Sequence, residues 1–411
     1  MTKTKLSLIL LALGGTAHAN GFLLNEFDAK AVGRGNASTA TDIDPSSIYY
    51  NIGGLAVGEG TNVQIGGALI APSASFTDTA GNKTTSDTNP QGVVGVFASA
   101  RVTSMVAVGI GFYTPFGLAI SWPATSPLTD VTKDEALHTF FITPSVGLNL
   151  GSFVPGLSVG GGLDLVPATV ELKQYIPFGD QMGTAHLGGT AFGVGGRIGV
   201  MYRPPSEPRL SLGVMWRSDV KEDFSGDGDF DAPVPFRSQL PPDGDVKTSV
   251  TLPQQVAGGA AFKIVPDFEL EANVIWTNWS KFRELNIEVP AAGSGTMTIG
   301  GPRDYENKTT FRVGAEYGFP HIGAAVRAGY IYDPTPIPST RLTAELPDIN
   351  RNDVTIGGSK TFGNYGMHVG LLWVLPGSRS TSDEANMPEH KGTFDVSAFV
   401  ATVTLSGHLP Q

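Results

Sequence analysis

Hydrophobic and polar residues alternate with a period of two along much of this chain, as they do in β-strands whose two faces meet different surroundings. The pattern is clear in residues 209–219, where one face consists of Leu210, Leu212, Val214 and Trp216. The opposite face carries small, polar or charged side chains. The same arrangement recurs in residues 268–277 and 309–319. These segments predict an all-β protein made of antiparallel strands.

About fourteen segments have the composition and length of such strands, roughly ten residues each. They lie near residues 59–71, 91–102, 104–114, 138–150, 157–173, 188–203, 209–224, 248–264, 268–289, 305–319, 323–333, 351–362, 366–375 and 392–406. Ten residues is the length at which a tilted strand crosses a bilayer. An even number of strands is typical of bacterial outer-membrane barrels, because it places both chain ends on one side.

Two kinds of all-β protein show this alternation. A soluble sandwich buries its apolar face between two sheets, whereas a transmembrane β-barrel turns that face towards lipid. Many glycines on the opposite face suit a crowded lumen. Aromatic residues at strand ends suit the girdle of a membrane barrel, and they are Trp122, Tyr202, Trp216, Trp276 and Tyr332. We therefore favour a transmembrane antiparallel β-barrel of about fourteen strands.

The connections between the predicted strands fall into two classes. Short turns at residues 204–206, 265–267 and 320–323 are expected on the periplasmic side. Longer Pro-, Gly- and Asp-rich stretches are expected on the extracellular side, and they are residues 116–137, 175–183, 225–247, 290–305 and 334–350.

The first 58 residues do not alternate. Residues 1–19 have a basic start, a short apolar run and the sequence Ala17-His18-Ala19, which predicts a secretory signal peptide cleaved after Ala19. Residues 20–58 contain turn signals such as Asp44-Pro45 and Gly53-Gly54. A polar segment of this kind does not face lipid, so we predict that it plugs the lumen formed by residues 59–411.

Composition narrows the possible functions. The 411 residues carry a net charge of −11, which argues against binding nucleic acid. There is no cysteine, so disulfides, zinc ribbons and cysteine nucleophiles are excluded. The seven histidines lack metal-ligand spacing, and no nucleophile constellation is visible. We expect a protein that is not an enzyme and that needs no metal or cofactor.

Several blocks of sequence resemble one family. Residues 21–27 read Gly-Phe-Leu-Leu-Asn-Glu-Phe, residues 31–35 read Ala-Val-Gly-Arg-Gly, and aromatic blocks follow at residues 216–224 and 276–282. In this order they resemble the FadL family, outer-membrane transporters of long-chain fatty acids and other hydrophobic compounds. The resemblance implies a fourteen-stranded barrel closed by an N-terminal hatch.

Two positions depart from the family pattern. Asn51-Ile52-Gly53 stands where the family usually has Asn-Pro-Ala, and it exchanges a rigid proline for a flexible glycine. The chain ends in Leu409-Pro410-Gln411 rather than in the aromatic residue that the insertion machinery reads, and we expect Leu409 to take that residue's place.

The resemblance implies passive uptake of long-chain fatty acids or related hydrophobic molecules. They would be captured at extracellular loops, passed to an internal pocket beside the hatch, and released sideways into the bilayer. Uptake of monoaromatic or alkane hydrocarbons is an alternative, and a general porin or an adhesion barrel is a weaker one. The expected partners are the hydrophobic ligand, outer-membrane lipid and lipopolysaccharide, around a monomeric barrel.

Three groups of residues are candidate ligand contacts. Phe22, Leu23, Leu24 and Phe27 would line the internal pocket, unless they serve only to pack the hatch. Phe116, Leu118 and Trp122, with Ile120, would form an apolar capture surface in an extracellular loop, unless the loop packs on itself.

The third group is cationic. Arg197 and Arg217 face the lumen on adjacent strands and would hold a carboxylate between them. In the alternative, which we prefer, each arginine binds a hatch acid, and the candidates are Glu26, Asp42 and Asp44.

The family's lateral opening lies at a kink in the third strand. Gly109 and Gly111 are the expected pivot there, because glycine marks bulges in strands. Alternatively, these glycines make room for the hatch. When the strands on either side of each short turn are paired symmetrically about that turn, two cross-strand salt bridges are predicted, Glu316–Arg327 and Lys263–Glu269.

Overall fold

The computed structural model describes residues 21–381 and 390–409, and its strands form one closed antiparallel sheet. The predicted signal peptide and the last two residues lie outside the described residues. The strands β1–β14 are, in order, Thr61–Asp78, Gln91–Arg101, Val106–Tyr113 with Gly117–Ser121, Asp134–Thr139 with Phe141–Asn149, Leu157–Phe178, Gln181–Tyr202, Leu210–Arg217 with Val220–Asp231, Gly244–Leu252 with Gln255–Val265, Phe268–Thr277 with Glu284–Pro290, Thr296–Pro302 with Lys308–Phe319, Ala324–Asp333, Arg351–Phe362, Tyr365–Ser380 and Gly392–Leu409.

The sheet closes because the first and last strands pair. β1 is antiparallel to β14 from Thr61 opposite Leu409 to Asp78 opposite Gly392. A short strand, Lys83–Thr85, folds back on the end of β1. The predicted all-β, fourteen-stranded antiparallel barrel is confirmed, and the pairing of its first and last strands closes the sheet.

Several strands are longer than the sequence pattern indicates. β5 and β6 pair continuously as far as Phe178 opposite Gln181, so most of the predicted loop at residues 175–183 is strand. β7 runs to Asp231 and β8 begins at Gly244, which shortens the predicted loop at residues 225–247 in the same way. These extensions are rich in Gly, Asp and Pro, so the alternation that identifies a membrane strand is harder to recognise there.

The two faces of the strands match the prediction. In β7, Leu212, Val214 and Trp216 point outwards and are exposed, whereas Met215 and Arg217 point into the barrel and are buried. The same division holds in β9 and β10. The outer surface is an apolar belt to which many strands contribute, for example through Ile65, Ile110, Val194, Val313 and Val354. This belt is the surface that a bilayer covers.

One aromatic residue does not belong to the predicted girdle. Trp122 is fully buried, and its indole nitrogen donates a hydrogen bond to the Ala344 carbonyl oxygen at 3.1 Å. Its ring lies 6.3 Å from that of Phe394. The residue therefore ties the chain after β3 to the loop before β12. Trp216 and Tyr332 do project from the outer surface.

The two ends of the barrel differ in their connections. At one end, the short-turn end, β8 and β9 are joined by two residues, and β10 and β11 by the 3₁₀ turn Pro320–Ile322 and Gly323. At the other, the long-loop end, residues 122–133 and 334–350 form extended connections. Among residues 21–381 and 390–409, we find no helix long and apolar enough to cross a membrane.

Residues 21–58, here called the hatch, lie inside the barrel and are almost entirely buried. They form two short helices, α1 (Ala29–Gly33) and α2 (Ser47–Tyr50), followed by the 3₁₀ helix Ile52–Ala56. The Asp28 carboxylate caps α1. Hydrogen bonds join the hatch to opposite walls, since Ala29 N donates to Thr404 in β14 and Ser158 in β5 donates to the Gly53 oxygen.

Candidate ligand-binding site and wall opening

The start of the hatch forms an aromatic cluster at the centre of the barrel. The ring of Phe22 makes edge contacts with Phe116, Trp279 and Phe282, with centroids 5.0–5.9 Å apart. Phe22 also lines a small apolar cavity of about 60 Å³, here called the inner cavity. Its other apolar walls are Leu118, Leu137, Val170, Leu172, Val250, Phe282, Leu285 and Leu346.

The other three predicted hatch residues do not line the inner cavity. Leu23 and Leu24 are buried beside β3, and Phe27 packs against Tyr49 and Tyr113 at 4.8 and 5.6 Å. Of the four predicted hatch residues, Phe22 is the one that lines the inner cavity. The remaining three hold the hatch in place.

A larger cavity of about 370 Å³, here called the outer cavity, opens at the long-loop end. Ligand pockets typically have about this volume or more. Sequence reasoning missed this lining, because much of it lies in residues 175–183, 225–247 and 290–305, which the prediction treated as loops. Its apolar walls include Ile176, Ala185, Leu187, Phe230, Leu240, Ile287, Met297 and Ile299. The strand predicted at residues 268–289 already contains Leu285 and Ile287, whose alternation points one face towards this cavity.

The predicted capture surface is not on the surface. Phe116, Leu118, Ile120 and Trp122 are at most 6% exposed. Phe116 packs against the hatch, and Leu118 lines the inner cavity. These apolar residues turn inwards because the chain leaves the barrel wall after Tyr113, so exposure to lipid or water ends there.

The wall is interrupted between β2 and β3. Their ladder covers Gly95 opposite Tyr113 to Arg101 opposite Ala107 and stops there. Beyond it, Leu24 N donates to the Pro115 oxygen at 2.8 Å, and Gly117 N donates to the Phe22 oxygen at 2.9 Å. Residues 115–117 of β3 therefore pair with the hatch instead of with β2. Contact resumes where Asp87 N donates to the Ser121 oxygen.

Gly109 and Gly111 do not form the predicted kink. Both lie where β3 is paired continuously with β2 on one side and β4 on the other. A Cβ at either position would lie 2.9–3.1 Å from the Ile48 side chain of the hatch. The alternative interpretation, that these glycines make room for the hatch, fits this geometry. The bend lies at residues 114–116, where proline lacks the ladder donor.

The two lumen arginines are directly opposite each other but do not form a clamp. Arg197 in β6 pairs with Arg217 in β7 in the strand register. A guanidinium nitrogen of Arg197 lies 2.9 Å from the carboxylate of Asp164 in β5, and another donates to the Ile48 oxygen at 2.8 Å. The partner acid therefore belongs to the wall, so the preferred alternative of a hatch acid is wrong for Arg197.

Arg217 has different surroundings. Its guanidinium lies 4.9 Å from the centroid of the Phe116 ring and 5.9 Å from that of Phe141. One terminal nitrogen donates to Gln255 at 2.8 Å. Within the described residues its Nε is buried without a hydrogen-bond partner. Arg217 is thus a buried cation whose neighbours are aromatic and amide groups.

The hatch motif fits tightly against the wall. The Asn51 side chain accepts from Gly53 N at 3.0 Å and donates to the oxygens of Thr39 and Val200 at 2.7 and 3.0 Å. A Cβ on Gly53 would lie 2.7 Å from the carbonyl carbon of Val200. Glycine at this position permits close approach to β6, so it fixes the hatch against the wall rather than loosening it. Ile52 is fully buried.

At the short-turn end, charged residues hold the hatch. Arg34 lies 3.1 Å from Glu269 and 3.5 Å from Glu271, both in β9. The predicted Glu316–Arg327 salt bridge is present at 2.6 Å. Lys263 is opposite Glu269 as predicted, but the Glu269 carboxylate contacts Arg34. Except for Glu271, these residues line a polar cavity of about 300 Å³.

The sequence and fold were compared with known proteins. A model of the outer membrane protein transport family (OMPP1/FadL/TodX) matches residues 10–405. The chain belongs to this family. Members are outer-membrane transport proteins and not enzymes, so the predicted family, class and location are confirmed.

Individual relatives are distant in sequence and close in fold. The long-chain fatty acid transport protein of Salmonella typhi is 23% identical over 393 residues, 88% of each chain. A FadL homologue of Pseudomonas aeruginosa superposes with a TM-score of 0.82 at 16% identity, covering 94% of this chain and 99% of that one. The toluene transporter TodX of Pseudomonas putida gives a TM-score of 0.74 at 18% identity, covering 94% and 100%.

Proposed function

We propose that this protein takes up long-chain fatty acids or related hydrophobic molecules passively, with capture in the outer cavity, transfer to the inner cavity and lateral release between β2 and β3. One observation carries the proposal. Apolar cavities lead to the hatch, and the hatch is hydrogen-bonded to the part of β3 that has left the wall. The closed single-chain barrel acts as a monomer among outer-membrane lipid and lipopolysaccharide.

Capture depends on apolar burial. The outer cavity lies at the long-loop end, which faces outwards in barrels of this kind. Burying an alkyl chain contributes about 0.8 kcal/mol per CH₂. A long chain would therefore bind too tightly to leave a static site, so release requires the site to change shape.

The hatch supplies that change. The inner cavity of about 60 Å³ is too small for an acyl chain, so a ligand that enters it displaces Phe22. Phe22 and Leu24 also hold residues 115–117 of β3 through two backbone hydrogen bonds. Displacing Phe22 therefore loosens the segment that borders the gap, and ligand arrival is coupled to opening of the exit.

The two candidate substrate classes differ in their head group, because a fatty acid has a carboxylate and a hydrocarbon does not. Arg217 is a buried cation with an unused donor, which suits the carboxylate of a fatty acid. Arg197 is already neutralised by Asp164, so two-arginine recognition is lost. This loss favours the second candidate, a monoaromatic or alkane hydrocarbon, which needs no cation. TodX, whose fold this chain shares, transports toluene.

Competition binding of oleate and toluene to the purified barrel tests the substrate class. Arg217→Met is expected to weaken oleate binding by about tenfold, the value of one charge-assisted hydrogen bond, and to leave toluene unchanged. Equal effects on both ligands would select the hydrocarbon function. Absence of binding by either ligand would contradict the uptake proposal itself.

A substitution in β2 tests the proposed lateral exit between β2 and β3. Val93 lies in the part of β2 beside the gap, and Val93→Trp should fill it. Cells that rely on this protein should then take up labelled oleate at least fivefold more slowly, while the purified barrel still binds it. Ile65→Trp, on the exposed outer face of β1, is the control. Unchanged uptake by folded Val93→Trp protein would rule out this exit.

A further inference from the structure

A carboxyl group stands where the two cavities meet. The outer and inner cavities share five lining residues, which are Glu135, Leu172, Leu285, Arg303 and Glu345. Glu135 lies in the first segment of β4, opposite Ile120 of β3 and Leu172 of β5. A molecule that moves from one cavity to the other must pass this residue.

The two arginines near Glu135 are already bound to other acids. An Arg303 guanidinium nitrogen lies 2.8 Å from the Glu345 carboxylate. Arg341, which lines the inner cavity, lies 2.7 Å from Asp304. Lys173 lines the outer cavity but not the inner one, and it is opposite Asp134 in the strand register. An anionic ligand at the junction would have to compete with these carboxylates.

Glu135 itself has no such partner. Its Oε2 is inaccessible to solvent and makes no hydrogen bond within the described residues. A buried carboxyl without a hydrogen bond, beside the Glu345 carboxylate, favours its protonated form. A protonated carboxyl is both a hydrogen-bond donor and an acceptor. A buried polar group without a partner gains from any ligand that supplies one.

We propose that Glu135 binds the polar end of the transported molecule, and that this end is uncharged, either a hydroxyl or a protonated carboxyl. This inference rests on the proposed uptake function and adds its substrate chemistry. The apolar walls of both cavities hold the hydrocarbon part, and the carboxyl at the junction exchanges hydrogen bonds with the head.

Binding to the purified full-length barrel tests this assignment with three probes at pH 7.5, 1-dodecanol, dodecanoate and dodecane. Glu135→Leu should weaken dodecanol binding by about threefold to tenfold, the range for one neutral hydrogen bond, and leave dodecane unchanged. Glu135→Gln keeps a neutral donor and acceptor and should stay within about twofold of the parent. The matched control is Glu171→Leu, at an exposed position in β5.

Infrared difference spectroscopy gives a second readout that does not depend on the leucine variant folding. A protonated carboxyl band should shift when dodecanol binds, and that band should be missing in Glu135→Gln. A missing band in the parent would overturn the proposal. So would equal losses for dodecanol and dodecane in Glu135→Leu, or tighter binding of dodecanoate than of dodecanol. If none of the three probes binds, uptake itself is refuted, whereas these other results leave it standing.

Discussion

Two arginines in neighbouring strands show how strongly local partners decide the role of a residue. Arg197 and Arg217 are each 2% exposed and face each other across the β6–β7 ladder. Arg197 has a carboxylate at 2.9 Å, whereas Arg217 has two aromatic rings and an amide. The first arginine stabilises the fold through a buried pair, and the second has a buried Nε without a hydrogen-bond partner within the described residues.

Removing the two charges should therefore lower the free energy of unfolding by different amounts. Arg197→Met leaves Asp164 buried without its cation, so we expect a loss of about 3–5 kcal/mol in the free energy of unfolding. Arg217→Met should cost much less, because no carboxylate loses its partner. Urea titration of the folded fraction, read by heat-modifiable gel mobility, measures both. Asp164→Leu added to Arg197→Met should restore much of the loss, and a purely additive double variant would contradict the pairing argument.

At the scale of elements, the hatch combines apolar and ionic attachment. Its 3₁₀ helix is seated against β6 through Asn51 and Gly53, and Arg34 is held by the β9 carboxylates. Asp42, between the two helices, accepts from the Ser46 hydroxyl at 2.9 Å. Burial, together with the Asp28 carboxylate, raises the pKa of Asp42 to about 8.

The hatch should consequently loosen as the pH rises. The pKa of Asp42 is higher in the folded protein than its ordinary value of about 3.9, so the folded state holds the proton more tightly. This contribution is complete below about pH 4 and is lost between about pH 4 and 8. Amide hydrogen exchange at Ser46–Tyr50, corrected for intrinsic rates, should show protection falling by up to about tenfold per pH unit. Asp42→Asn should flatten this dependence, and a steep slope in that variant would point to another group.

For the whole molecule, the belt of outward apolar side chains determines where the barrel can exist. Side chains such as Ile65, Val194 and Val313 are half exposed, as suits a surface in contact with lipid rather than water. The lumen is filled by the hatch. Cavities remain at both ends of it, so the proposed uptake requires the hatch to move.

A charge within the belt should hinder membrane folding. Val313→Arg places a cation on the outward face of β10, and we expect a cost of about 2–4 kcal/mol if the residue lies near the bilayer midplane. Asp229→Arg, on an exposed position of the β7 extension, is the control and should fold normally. The folded fraction in lipid bilayers at graded urea concentrations measures the difference. Equal folding of both variants would contradict the assignment of this belt to lipid.

The sequence alone determined the two-faced strands, their number and the non-alternating hatch, because each is a local property of neighbouring residues. The register of the short turns was also local, so Glu316–Arg327 was predictable. The long-loop extensions were not, since their short alternating runs are interrupted by Pro, Gly and Asp, which are also typical of loops.

Only the tertiary structure decided what the candidate residues contact. Asp164 reaches Arg197 from another strand, and the hatch residues Phe22 and Leu24 draw β3 away from β2 at residues 114–116. Glu135 gains its position from cavities built by many separate segments. Such contacts join residues that are distant in the chain, and spacing along a sequence carries no information about which distant partner will be nearest.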